Sequence, residues 1–362
     1  LLLSLIALFS LTQKVHSVAN SCFILIIVFT IITFFHIQII GTNLVLFSSF
    51  NRLVSFSFLF AVFYLNYTHK IDKQFLLKII NIGFKFNICL ILIHYISSLI
   101  GGGALELFYD IIYKVISQSE KFYDNINKYQ DGWSLLRYYG GYHNPNPAGI
   151  SLVFGYILLI ISDAKIKRIW IFLFFLALFL TGSKQSIYLI FIFLAIRNGK
   201  KIPLYIISFS IFIYFLIFLN LNRLIERIFN TDASIQSSIE RSWGYSNFIE
   251  FINLYPFRFI LGTGINSISL RTDSLPITSL EVGFVSNSFL LIFSFIGVVG
   301  FVFLTIIFSS FYRWTKNKRK LFFFLFIVFL ASLFDNHIAI MESMQIIIFL
   351  GIVLISNIKR KI

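Results

Sequence analysis

The chain has 362 residues, 58% of them hydrophobic, with 47 Phe and only 12% charged. That balance excludes an ordinary soluble domain and points to a polytopic helical membrane protein. The formal net charge is +15, but the cations sit mostly in short loops between apolar runs, the pattern of cytoplasmic loops rather than of a nucleic-acid surface.

Taken in order, the apolar runs predict spans at 1–11, 19–40, 44–65, 75–100, 147–162, 168–182, 185–197, 202–220, 286–310, 320–337 and 342–357. This is an all-α architecture, a single integral membrane domain over residues 1–362 with about 11–12 transmembrane helices. Residues 1–11 are too short for a full span and read as the tail of one; a signal peptide would need a basic leading region and a small-residue cleavage site. The short segments 168–182 and 185–197 either extend into their flanks or form a partly re-entrant hairpin. Cys22 and Cys89 both fall inside apolar runs, so no disulfide framework is implied.

Charge sets the orientation. The loops with His69, Lys70 and Lys73, with Lys165, Lys167 and Arg168, with Arg197, Lys200 and Lys201, and from Arg313 to Lys320 are expected in the cytoplasm, as is the tail Lys359-Arg360-Lys361. The opposite face then carries two long loops, 101–146 and 220–285, the turn Thr181-Gly182-Ser183-Lys184-Gln185, and the turn around His337. In a bacterium that face is the periplasm, and the protein belongs in the inner membrane.

The first long loop opens with Gly101-Gly102-Gly103, which reads as a helix terminator. Leu107, Phe108, Ile111, Ile112, Val115 and Ile116 follow at helical spacing. They predict an amphipathic helix, either lying on the membrane surface or packed on the bundle. The loop closes on Arg137-Tyr138-Tyr139-Gly140-Gly141-Tyr142-His143-Asn144-Pro145-Asn146-Pro147-Ala148-Gly149, a fixed non-helical backbone just ahead of a span.

The second long loop holds five arginines, Arg223, Arg227, Arg241, Arg258 and Arg271, and no lysine. Asn222–Phe229 and Ser237–Leu254 read as helices, the second ended by Pro256. Arg137, Lys184, Arg241, Arg258 and Arg271 thus gather at one membrane face. Arginine's planar fork suits phosphate oxygens, so such a cluster suits a lipid-linked phosphate or pyrophosphate. Trp133, Tyr138, Tyr139, Tyr142, Trp243, Tyr245 and Tyr255 suit stacking on sugars, and equally an interfacial aromatic belt. Lys184 lies where the positive-inside rule does not favour a lysine, which fits either a functional role or snorkelling to head groups. Arg52 and Lys85 sit within their spans, where charge is costly. His143 is the first choice of base; His337, Glu240, Glu281 and Asp335 are its rivals. No phosphate-binding glycine loop, zinc-spaced His/Cys set or nucleophile elbow is present in the sequence, and no cofactor or metal is expected.

Four segments resemble the O-antigen polymerase and ligase superfamily, bacterial membrane enzymes that handle undecaprenyl-pyrophosphate-linked glycans. His143-Asn144-Pro145-Asn146-Pro147-Ala148-Gly149 is similar to that family's His/Asn-Pro-Asn segment. Leu180-Thr181-Gly182-Ser183-Lys184 is similar to its Leu-Thr-Gly-Ser-Arg turn, with Lys in place of Arg. Arg241, then Pro256 and Gly262-Thr263-Gly264, resembles its Arg…Pro…Gly-x-Gly arrangement. Ser286-Asn287-Ser288-Phe289-Leu290, then Gly297 and Gly300, resembles its His-Asn-x-x-Leu…Gly-x-x-Gly segment. The ligases carry a histidine where this chain has Ser286, which favours a polymerase over a ligase.

The resemblance implies a GT-C-like membrane glycosyltransferase that works without metal and inverts the anomeric centre. His143, Arg241 and Lys184 would be its catalytic groups. Arg137, Asn144, Tyr245, Arg258, Arg271, Asn287 and His337 would contact substrate. Its implied partners are the undecaprenyl-pyrophosphate-linked oligosaccharide, the bilayer, a chain-length regulator and a flippase. A ligase acting on lipid A–core is the near alternative; a polysaccharide flippase is the alternative of another class.

Overall fold

A computed structural model describes residues 73–112, 138–142, 144–197, 256–261, 287–315, 317–334 and 342–355, with isolated positions at 200, 203, 210, 214, 249 and 253. These residues are helical apart from short turns and connections, and no strand occurs among them. The predicted spans at 1–11, 19–40 and 44–65 lie outside the described residues, as does 202–220 apart from three helical positions. By its contacts the chain divides into two units, Gln74–Ser234, and Leu1–Lys73 with Ile235–Ile362.

The first unit contains α1 (Lys73–Ile100), α2 (Gly102–Ile112), α3 (Pro145–Ile161), α4 (Arg168–Leu180) and α5 (Lys184–Arg197). α1 is the only helix among the described residues that is both long and apolar enough to cross a membrane, with a mean hydropathy of 2.0 over its apolar window. It has 28 residues, a rise of about 42 Å. Leu76, Phe84, Ile88, Ile91, His94 and Ser97 form its buried stripe. Phe75, Ile79, Ile82, Phe86, Ile93, Ile96 and Leu99 are exposed, so its outer face is as apolar as its inner one.

α3 is the centre of this unit, and nearly all of its side chains are buried. Its Gly155 lets Phe84 of α1 approach, since a Cβ there would lie 3.1 Å from the Phe84 ring. Tyr156 stacks on Phe174 of α4 at 4.5 Å and 6°, and Phe84 completes the aromatic cluster at 5.6 Å from Phe174. α4 and α5 have 13 and 14 residues, about 20 Å each, short of the ~30 Å hydrocarbon core. A tight turn joins them, with Gly182 at φ 58°.

One expectation is corrected here. Gly101, at φ 95°, does end α1, but Gly102 and Gly103 already belong to α2. Pro256 opens α6 (Pro256–Leu261); the helix expected to end before it lies outside the described residues apart from positions 249 and 253. Proline is well suited to the first helical position, where its missing N–H costs nothing.

The second unit adds α7 (Ser288–Trp314), α8 (Lys318–Phe334) and α9 (Glu342–Ile355). α6 packs on α7 through Phe259 and Phe293, ring centres 5.1 Å apart. The predicted span 286–310 is interrupted. Gly297 interrupts α7 with φ 64° and ψ −173°. Phe289 and Phe301 have ring centres only 5.4 Å apart; along a continuous helix their Cα atoms would be separated by about 18 Å. The part after Gly297 therefore bends back against the part before it.

Candidate functional site

Two segments singled out in the sequence meet at one end of the first unit. The Asn144–Gly149 segment opens α3, and the Thr181–Ser183 turn leads into α5. At Asn144 the side-chain Oδ1 accepts from the Asn146 N–H at 2.9 Å, and Pro145 and Pro147 have no N–H. The Ala148 N–H donates to the Asn144 carbonyl at 3.4 Å. The first-turn donors of α3 are thus absent or used, so this helix end offers no backbone N–H to an anion. Anion binding here falls to side chains.

Gly149 is the contact point between the two segments. A Cβ on it would lie 2.5 Å from Ser186 Oγ and 3.0 Å from Ser183 Cβ. Around it the hydroxyls satisfy one another. Ser183 and Ser186 share a hydrogen bond at 2.8 Å. Thr181 donates to the Leu178 carbonyl at 2.6 Å, and Ser151 to the Ala148 carbonyl at 2.9 Å. Thr181, Ser183 and Ser186 are fully buried. Gly149→Ala is expected to force α3 and α5 apart at a cost of about 1–3 kcal/mol, read as a lower melting temperature of the detergent-solubilised protein.

Lys184 is the first residue of α5 and is half-buried. A cation at a helix N-terminus opposes the helix dipole by about 0.3–1 kcal/mol. Among the described residues, the other cations on these helices and their connections lie toward the opposite end: Lys73 and Lys78 at the start of α1, Lys165, Lys167 and Arg168 around the α3–α4 connection, and Arg197 and Lys200 at and just beyond the end of α5. Lys85 belongs with them, its Nζ 5.3 Å above the Trp170 ring, a cation–π contact that steadies its charge. Among the described residues of this unit, Lys184 is the one cation at the motif end.

The segment before α3 is held just as firmly. The Tyr138 N–H donates to the Leu180 carbonyl at 2.9 Å. The Tyr139 N–H donates to His94 Nδ1 at 3.3 Å. Gly140 sits at φ 60°, and a Cβ there would be 3.1 Å from the Ile91 backbone nitrogen. Tyr138 and Tyr139 are 6% and 3% exposed, so they pack in the core and are not sugar-stacking surfaces as the sequence suggested. α2 does pack on the bundle through Phe108 and Ile112, yet leaves Leu107 and Ile111 exposed. Burial raises the Tyr109 phenol above its ordinary value, with its hydrogen bond to Tyr139 pulling the other way.

In the second unit, Asn287 is buried and caps α7, its Oδ1 accepting from the Leu290 N–H at 3.0 Å. Arg258 lies on α6. Arg137, His143, Arg241, Tyr245, Arg271 and His337 lie outside the described residues, as do Arg52, Glu240, Glu281 and Asp335. Of the expected site residues, the structure therefore brings Asn144 and Lys184 to one end of the first unit, and in the second puts Arg258 on α6 and Asn287 at the cap of α7. His94 was missed in the sequence; its signal was a titratable side chain inside an otherwise apolar run. No grouping of His, Cys, Asp and Glu able to hold a metal ion occurs among the described residues. No family model, curated protein or solved structure matches the chain.

Proposed function

We propose that this chain is a polytopic membrane glycosyltransferase of the GT-C-like type, with a working face opposite its basic loops. More particularly, it is an O-antigen polymerase of the bacterial inner membrane, acting at the periplasmic face. The observation that carries this reading is the meeting of the Asn144–Gly149 and Thr181–Ser186 segments at Gly149, at the end of the unit away from its other described cations. Two separate motif resemblances thus converge on one place, with Lys184 beside them. The apolar outer face of α1 supports a lipid surrounding, because in water such a face would be costly.

In this reading the donor is the growing glycan on undecaprenyl pyrophosphate, and the acceptor is a sugar hydroxyl of a new lipid-linked repeat. The acceptor oxygen attacks the donor's anomeric carbon from the face opposite the leaving group. The carbon–oxygen bond to pyrophosphate breaks, and its electron pair leaves with the lipid pyrophosphate. His143 takes the hydroxyl proton. Arg241, Lys184 and Arg137 stabilise the charge that grows on the leaving group, the task a metal performs in many nucleotide-sugar enzymes. Arg258, Arg271 and Tyr245 hold glycan or the second pyrophosphate.

The test is surface glycan length in a strain lacking the gene, complemented with the wild type or with Arg241→Ala at matched protein level. The expected result is a single repeat on lipid A–core in the deletion strain, restored to long chains by the wild type only. Long glycan retained on the carrier lipid would identify a ligase instead. Repeats trapped on the cytoplasmic leaflet would identify a flippase and overturn the enzyme reading.

A further inference from the structure

His94 has no part in the chemistry above, yet its ring and both of its nitrogens are engaged in the core of the first unit. It is 2% exposed. Its ring stacks on Phe108 of α2 at 4.9 Å and 22°. It meets Tyr109 edge-on at 5.3 Å, Tyr138 at 5.3 Å and Tyr139 at 4.8 Å. Nδ1 accepts the Tyr139 N–H, and Nε2 lies 3.0 Å from Tyr109 Oη.

The two nitrogens settle the tautomer. A backbone N–H can only donate, so Nδ1 must present its lone pair. The imidazole proton then sits on Nε2 and is donated to Tyr109 Oη. A phenylalanine would fill the same space and keep the stack, but it could not accept the Tyr139 N–H.

The residues that His94 holds come from both ends of the long 101–146 stretch. Phe108 and Tyr109 follow its opening at Gly101, and Tyr138 and Tyr139 precede its close. Tyr138 is tied in turn to Leu180, the residue before the Thr181–Ser183 turn. Asn144 follows Tyr139 by only five residues.

We propose that His94 is a positioning residue: through Nδ1 it fixes the Tyr138–Tyr142 segment against α1 and so sets where the chain enters the Asn144–Gly149 part of the site. The inference rests on the glycosyltransferase reading for its consequence, but the clamp itself can be measured without that reading.

The experiment compares His94→Asn and His94→Phe in the full chain. Asparagine Oδ1 falls near the place of Nδ1 and keeps an acceptor, but it leaves a gap where the ring stood. Phenylalanine keeps the packing and loses the acceptor. Amide hydrogen exchange at Tyr139 should remain slow in the wild type and in His94→Asn, and become at least tenfold faster in His94→Phe. Glycan polymerisation at matched protein level should follow the same order, with His94→Asn at least fivefold more active than His94→Phe although His94→Phe melts at the higher temperature. If activity instead ranks with melting temperature, His94 is only core packing and the proposal is overturned. Unchanged Tyr139 exchange in His94→Phe would also overturn it. If the wild type makes no polymer in any complemented strain, the functional reading fails, while the exchange result still decides the clamp.

Discussion

Lys184→Ala is expected to reduce glycan polymerisation about 100-fold, the usual scale for losing one charge-stabilising donor at a transition state, while changing the protein's stability by less than about 1 kcal/mol. The stability half of this follows from position. Lys184 opens α5, where the helix dipole disfavours a cation, so alanine removes an unfavourable interaction along with whatever the ammonium contacts. The activity half follows from the reaction. Pyrophosphate gains charge as it departs, and Asn144 and the two prolines leave no N–H at the start of α3 to meet it. Lys184→Arg should retain at least a tenth of the activity, because a guanidinium supplies the same charge with a wider fork. Gel analysis of the glycan ladder and a melting curve in detergent test both halves. Equal activity of wild type and Lys184→Ala would leave the lysine as a head-group anchor and remove it from the mechanism.

The helices of the first unit were legible because apolar runs and punctuation agree along it. The predicted segments 168–182 and 185–197 correspond to Arg168–Leu180 and Lys184–Arg197, separated by the glycine that the turn needs. The start of α3 was misplaced: the run up to Gly149 was expected to be non-helical, whereas the helix begins at Pro145, because Asn144 caps it and proline suits the first helical position. The contact between α3 and α5 at Gly149 was legible only indirectly, through the motif resemblance; nothing local in Ala148-Gly149-Ile150 says which helix lies against it. His94 stood out only as a titratable side chain in an apolar run, and its contacts were not legible. Its partners are Phe108 and Tyr109, 14 and 15 residues on, and Tyr138 and Tyr139, 44 and 45 residues on. Pairings of that separation are decided by packing, not by any pattern along the chain. Tyr138 and Tyr139 were misread for the same reason. Tyrosines beside an arginine look like a sugar platform until their burial around a histidine is seen.

Gly297→Ala is expected to destabilise the second unit by about 1–3 kcal/mol, because φ 64° with ψ −173° lies in a region that only glycine enters without strain. Gly83→Ala is the matched control. Gly83 is an exposed residue inside α1, with nothing within 4 Å of an added Cβ, so alanine there should stabilise by about 0.5–1 kcal/mol. The two substitutions add the same methyl group to the same residue type, and only the backbone differs. Melting curves of the detergent-solubilised protein should therefore move in opposite directions. The strain in Gly297→Ala has one obvious escape, in which residue 297 becomes helical and α7 straightens. Straightening would separate Phe301 from both Phe289 and Phe293, which it now meets at 5.4 and 5.6 Å. The packed bend and the strained backbone thus oppose each other, and the smaller of the two costs is the one the variant will show. A cysteine pair replacing Phe289 and Phe301 distinguishes the two responses: cross-linking retained in the Gly297→Ala background means the bend survives under strain, and cross-linking lost means the helix has straightened. A melting temperature unchanged by Gly297→Ala, with the cross-link retained, would mean that the break does not depend on glycine's backbone freedom.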